Sequence, residues 1–353
     1  MKLKPVNIGD IKLEVPIIQG GMGIGVSLSN LAGAVAKEGG MGVISAAQPG
    51  YNLPEWDTDP LGANLKALGQ HIKRAKEISN NGVIGVNIMR ASCNYDKYVK
   101  CCVDNGADCI ISGAGLPIEL PMLLMDTDVK FAPIVSSQKA VKVLFSLWER
   151  RYKKISDFIV IEGPKAGGHL GFKHDEAINL TQEDYDKEVI KILEYVHIFE
   201  EKYQRSIPVF FAGGVYTRED IDHYMSLGCA GVQMATRFVP TEECDAPMSF
   251  KQAYINAKKE DIVIVKSPVG MPGRAIRNPY VKEREKENEK ITYCFRCLEK
   301  CDPATTPYCI TMALIRAVRS ETEADNSLIF CGENAYRLDK MTTVHEIFKE
   351  LNS

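Results

Sequence analysis

A chain of 353 residues with 45% hydrophobic and 25% charged residues can bury a sizeable core, and its formal net charge of −3 gives no electrostatic basis for binding nucleic acid or a membrane surface. No stretch approaches the roughly 18 apolar residues of a membrane span, and the lysines of the first ten residues have no apolar run behind them, so a cytoplasmic location is expected. The length admits two average domains or one α/β barrel with an appendage, since such barrels alone use about 250 residues.

In chain order, Pro16 to Gln19 predicts a brief strand, followed by a turn or cradle at Gly20, Gly21, Met22, Gly23 and Gly25. A helix is expected over residues 28–37, with Ser27 or Ser29 as its N-cap and Gly39-Gly40 as its stop. Strand two is expected over 41–45, a polar proline-bearing loop over 48–60, a helix over 61–80, and strand three over 83–87, with Asn87 at its C-terminal end. The alternation continues with helices over 95–105, 118–125, 138–150, 185–203 and 218–226. Strands fall at 109–112, 131–135, 159–161, 209–212 and 231–234.

Eight short apolar strands separated by mostly helical segments imply a parallel sheet with right-handed crossovers, and eight units favour a TIM (β/α)8 barrel over the alternative open sheet. A dinucleotide-binding Rossmann arrangement is disfavoured, because no acidic residue ends the second strand where a ribose hydroxyl would need it.

The run Ile159-Val160-Ile161 ends in Glu162-Gly-Pro-Lys165-Ala-Gly167-Gly168-His169-Leu-Gly171, a loop of small residues around one imidazole just past a strand end. Loops on that edge of an α/β fold converge on ligands, and the glycines let backbone approach a flat ligand closely. After strands seven and eight stand Gly213-Gly214-Val-Tyr-Thr217 and Ala235-Thr236-Arg237-Phe238, where backbone amides and the Thr236 hydroxyl suit a phosphate without a lysine. The alternative is that Gly213-Gly214 only ends a strand and Arg237 only pairs on the surface.

Eleven cysteines argue for reduced thiols over a disulfide framework. Cys93, Cys101, Cys102, Cys109, Cys229 and Cys244 read as small core residues. Cys294, Cys297, Cys301 and Cys309 form C-x2-C-x3-C-x7-C in a polar segment that follows the charged run Lys282 to Lys290. That spacing matches neither the standard zinc pattern nor the usual ferredoxin runs, so free or redox-active thiols are expected in place of a metal or iron–sulfur cluster. A helix from 310 to 319 and an amphipathic C-terminal helix with Val344, Ile347, Phe348 and Leu351 on its apolar face complete the reading.

Val15-Pro-Ile-Ile-Gln-Gly-Gly-Met22, Gly85-Val-Asn-Ile88, Glu162 to Gly171, Pro208-Val-Phe-Phe-Ala-Gly-Gly214 and Gly231-Val-Gln-Met-Ala-Thr-Arg-Phe238 closely resemble the nitronate monooxygenase (2-nitropropane dioxygenase-like) family, which also contains flavin-dependent enoyl-acyl-carrier-protein reductases. The resemblance covers roughly residues 5–280 and implies a barrel holding FMN without covalent attachment. It implies Gly21 and Met22 against the flavin ring, and Asn87, Glu162 and the loop of Lys165, Gly167 and Gly168 along the ring or ribityl chain. Gly213, Gly214, Gln233, Met234, Ala235 and Thr236 would hold the phosphate, with Ala235 standing where many relatives have glycine. His169 matches the active-site histidine, acting as base or substrate-positioning group.

The expected activity is oxidation of alkyl nitronates or nitroalkanes with O2. The alternatives are an NAD(P)H-dependent enoyl-acyl-carrier-protein reductase of the same fold and a flavin/thiol redox-sensing protein. The partners expected are a small-molecule substrate and O2, joined by NAD(P)H in the reductase alternative, with neither nucleic acid nor membrane and with a homodimer left open. The organisation expected is an FMN-binding barrel over residues 1–280 and a cysteine-containing, mainly helical extension over 281–353. Asn334 or Tyr336 in that extension could reach the substrate.

Overall fold

A computed structural model describes residues 2–319 and 324–353. In chain order the elements are β1 Val6–Ile8, β2 Ile11–Leu13, β3 Ile17–Gln19, α1 Ser29–Lys37, β4 Gly42–Ser45, α2 Pro60–Ser79, β5 Ile84–Met89, α3 Tyr95–Asp104, β6 Cys109–Gly113, α4 Leu120–Leu123, β7 Lys130–Val135, α5 Gln138–Tyr152 and β8 Ile159–Glu162. Then come β9 Gly168–His169, α6 His174–Asn179, α7 Gln182–Tyr203, β10 Val209–Ala212, α8 Arg218–Leu227, β11 Gly231–Met234, α9 Met248–Asn256, β12 Ile262–Lys266, β13 Pro272–Ile276, α10 Pro279–Arg284, α11 Ile310–Arg319 and α12 Val344–Leu351.

Eight parallel strands run in the order β3-β11-β10-β8-β7-β6-β5-β4, and a parallel bridge between Ile18 and Met41 joins β3 to β4, closing the sheet into a barrel. The strands are near-continuous Val and Ile because both faces are covered. On β8, Val160 points into the barrel beside Ile18, Val43, Ile111 and Phe210, whereas Ile159 and Ile161 join the layer under the outer helices.

The β1–β2 hairpin, which periodicity over so few residues does not reveal, sends Ile8 and Leu13 into that same inner cluster. Its turn is tied by Asp10 to Lys130 at 2.6 Å, at the N-terminal start of β7. The bottom of the barrel is therefore plugged, and the C-terminal strand ends are left to form the site.

The N-terminus of α1 departs from the expectation of a serine cap. Leu28 occupies the cap position without a side-chain cap, and Asp245 accepts the amides of Leu28, Asn30 and Leu31 at 2.9, 3.2 and 3.2 Å. Ser27 is instead drawn inward, accepting from Met22 N at 3.0 Å and from Gln19 Nε2 at 2.9 Å. The α4 helix is shorter than the expected span of residues 118–125.

Residues after β11 do two things. α12 packs beside α1 with Val344, Ile347, Phe348 and Leu351 buried, its end receives Arg218 of α8 at the Leu351 carbonyl, and it thereby closes the outer helical ring. β12, β13 and β9 form a small antiparallel sheet above the barrel mouth, roofed by α11 and the segment around Phe330.

Candidate active site

A cavity of about 470 Å³ opens at the C-terminal ends of the barrel strands. Every residue singled out from the sequence for catalysis or cofactor binding lines it: Gly21, Met22, Asn87, Glu162, Lys165, Gly167, Gly168, His169, Gly213, Gly214, Gln233, Met234, Ala235 and Thr236. Tyr336 does not line it; its ring instead lies under the Lys259 ammonium. Arg237 also turns away, making a bidentate pair with Glu350 at 2.8 and 2.6 Å, as in the surface-pairing alternative.

Close packing explains the glycines at one wall. A methyl group on Gly21 would meet Asn87 Cβ at 2.5 Å, so backbone and asparagine share one surface against which a flat ligand can lie.

On the wall formed after β10, Gly213 and Gly214 have φ of +107° and +84°, and the Gly214 carbonyl accepts from Asn334 Nδ2 at 2.6 Å. The amides of Gly213, Gly214, Ala235 and Thr236 donate to no group among the described residues. An array of backbone N–H donors on a cavity wall is the chemistry of an anion cradle.

The tail of the chain completes that cradle. Gly332 N donates to Thr236 Oγ1 at 3.2 Å, Glu333 N to the Lys165 carbonyl at 3.2 Å, and Cys331 N to the Arg274 carbonyl at 3.0 Å. Asn334 therefore stands beside those amides on the cavity wall. The loop beneath is held by the buried Arg274, whose guanidinium donates to the carbonyls of Pro164, Ala166 and Ala177. Arg274 escapes a reading of short motifs because it lies more than 100 residues from the Pro164–Ala166 carbonyls it holds.

His169 was expected in a loop and sits in a strand: β9 pairs antiparallel with β13, Gly273 opposite His169 and Arg274 opposite Gly168. Two residues are too few for any periodicity to show. The imidazole packs edge-on against Phe330 at 4.9 Å, and its Nε2 lies 2.7 Å from Ser267 Oγ. Burial drops its pKa from 6.5 to about 4, so the ring is neutral near pH 7.

Glu162 is pushed the other way, to about 7, by burial, against the opposing pull of the Gly171 amide and of Arg274. Its Oε2 accepts from Gly171 N at 2.7 Å while Ser136 Oγ donates to the Gly171 carbonyl at 2.8 Å, so both backbone groups of Gly171 are pinned.

The cysteine segment forms part of the roof. Cys297 lines the cavity beside Cys93, Cys294 is exposed, all are free thiols, and among the described residues no group of His, Cys, Asp or Glu is arranged to hold a metal ion. Cys102, Cys109, Cys229 and Cys244 are buried core residues as expected, whereas Cys93 and Cys101 are only half-buried.

Fold and site together define a (β/α)8 barrel whose cavity, at the C-terminal strand ends, is lined by backbone amides without acceptors among the described residues and by one buried imidazole. Residues 4–353 match the nitronate monooxygenase family, and the chain belongs to that family: it is an oxidoreductase of the nitronate monooxygenase type. A Staphylococcus aureus (strain Newman) protein named "Probable nitronate monooxygenase" is 27% identical over 288 residues, spanning 77% of this chain and 78% of that one. Among solved structures, FabK from Thermotoga maritima superposes with a TM-score of 0.71 at 24% identity, covering 95% of this chain and 91% of that one. The nitroalkane oxidase from Streptomyces ansochromogenes superposes with a TM-score of 0.68 at 18% identity, covering 95% and 94%. These two likenesses show the fold. No helix among the described residues is long and apolar enough to cross a membrane.

Proposed function

We propose that the protein binds FMN and oxidises small alkyl nitronates with O2. The observation that carries this reading is the pairing, within one cavity, of four backbone amides without acceptors among the described residues, at Gly213, Gly214, Ala235 and Thr236, with a neutral His169. The amides fit a phosphate. The close-packed surface of Gly21 and Asn87 fits a flat ring, and Gly167 and Gly168 border the same space.

Bound FMN would take electrons from the substrate and hand them to oxygen. The chain's own residues hold and orient. Gln233, Met234 and Thr236 form the phosphate wall, the Lys165 stem packs against Gly214, and Glu162 fixes the His169 loop through Gly171. His169 faces the substrate, and Phe330 keeps its ring upright.

The cavity also runs on beneath the roof between Tyr98, Phe295, Ile310 and Leu314. That apolar arm could take an acyl chain, which favours NAD(P)H-dependent reduction of an enoyl thioester as the second reading. The test is to purify the protein, release its cofactor by heat and identify it by chromatography, then follow oxygen uptake with propyl nitronate. FMN with nitronate-dependent oxygen uptake is the expected result; a colourless protein that takes up no flavin would overturn it.

A further inference from the structure

Ser267 lies 98 residues from His169 in the chain and reaches it because β13, which follows the Ser267 turn, pairs with β9. The contact at 2.7 Å engages Nε2, and Nδ1 has no hydrogen-bond partner among the described residues. The direction of that bond decides what the ring offers its substrate.

A serine hydroxyl carries one proton and two acceptor positions. Val269 N already donates to Ser267 Oγ at 3.4 Å, and the turn is closed by Gly270 N donating to the Ser267 carbonyl at 3.0 Å. The hydroxyl proton then has one acceptor within reach among the described residues, His169 Nε2. If the ring donated instead, the proton of a hydroxyl on a residue only 8% exposed would be stranded.

We propose that Ser267 donates to His169 Nε2 and holds the ring proton on Nδ1, so that His169 presents an N–H donor, and not a base, to the substrate. This rests on the nitronate-oxidising reading and assigns the ring its role there. The compounds that fit arrive with negative charge already on oxygen: alkyl nitronates whose α-proton has passed to solvent base before binding. A neutral nitroalkane would need a base at the free nitrogen, and that nitrogen carries the proton. Ser267 is a positioning residue acting through His169, whose ring stays neutral because burial holds it below its ordinary range.

The test is nitrogen NMR of the flavin-loaded protein with 15N-labelled histidine, the His169 signals being those lost in His169→Asn. The two nitrogens of a neutral imidazole resonate far apart according to which is protonated. A protonated Nδ1 and a bare Nε2 are expected, and a protonated Nε2 would overturn the proposal. Ser267→Ala should mix the two forms and lower kcat/KM for propyl nitronate roughly tenfold, the scale of one hydrogen bond, with Ser267→Thr restoring most of it. Unchanged tautomer and unchanged rate in Ser267→Ala would also overturn it. A wild-type protein with the Nδ1 proton in place but a flavin that propyl nitronate does not reduce would remove the nitronate reading, and with it the substrate class, while leaving the tautomer established.

Discussion

Gly167 lies directly against the chain's own tail: a methyl group there would meet the carbonyl carbon of Cys331 and the amide nitrogen of Gly332, both at 2.6 Å. Neither is a side chain that can swing aside. The loop from β8 and the segment after Phe330 are therefore packed as one unit on the cavity wall, and under the FMN-binding reading the C-terminal residues help to hold the cofactor as the barrel does.

Gly167→Ala should push the Cys331–Asn334 segment off Thr236 and Gly214 and weaken FMN binding at least tenfold, about the free energy of one or two lost hydrogen bonds. Asn334→Ala, which removes only the bond to Gly214, should weaken it less. Flavin fluorescence titration of the stripped protein reads both. Equal affinity in Gly167→Ala and wild type would show that the tail does not close the cradle.

The two displaced pKa values give opposite pH slopes. His169, lowered from 6.5 to about 4, binds fewer protons folded than unfolded between those values, so its contribution to stability is present above 6.5 and is lost as pH falls toward 4. Glu162, raised from 4.5 to about 7, is the reverse: it favours the fold below 4.5 and loses that contribution as pH rises to 7. Urea unfolding of flavin-free protein from pH 4 to 7.5 should therefore show a shallower acid-side loss in His169→Asn than in wild type. Identical profiles would mean that the imidazole titrates normally.

Asp245 caps a helix from more than two hundred residues away, accepting three amides at the start of α1. Asp245→Ala should cost about 1–2 kcal/mol, the range for loss of a helix cap, and lower the thermal midpoint by several degrees. Because α1 follows the Gly20–Gly25 turn, flavin affinity should fall with it. Ser29→Ala, expected from sequence to matter as a cap, removes no cap and should cost less, about the worth of its one hydrogen bond to His71 Nδ1 at 3.1 Å.

Changing Cys294, Cys297, Cys301 and Cys309 to serine together should leave bound flavin and turnover within a few-fold of wild type. Burial pushes the Cys297 thiol up to about 11, so it is a poor nucleophile, and Cys294 stands exposed. Loss of activity, or release of iron or zinc from the wild type, would return the cysteine segment to a working role.

Legibility from sequence followed chain locality. Strands such as Ile159–Ile161 and the glycine turns after them could be read because covered parallel strands are uniformly apolar and strand-end loops collect small residues. His169 could be found, but not its strand, since pairing with Gly273 is a tertiary fact. Ser267, Arg274 and Asp245 were missed for the same reason: each acts on a segment about 100 residues away or more, and nothing in its immediate neighbours marks it. The hairpin that plugs the barrel was missed because three-residue strands carry too little alternation to register.

The most direct measurement of the central claim is anaerobic reduction of the flavin-loaded protein, followed at the flavin absorbance, with propyl nitronate in one cuvette and NADH or NADPH in another. Rapid bleaching by the nitronate and none by the pyridine nucleotides is the expected result. Bleaching by NADH or NADPH alone would contradict the account and move the protein to reduction of enoyl thioesters on the same barrel.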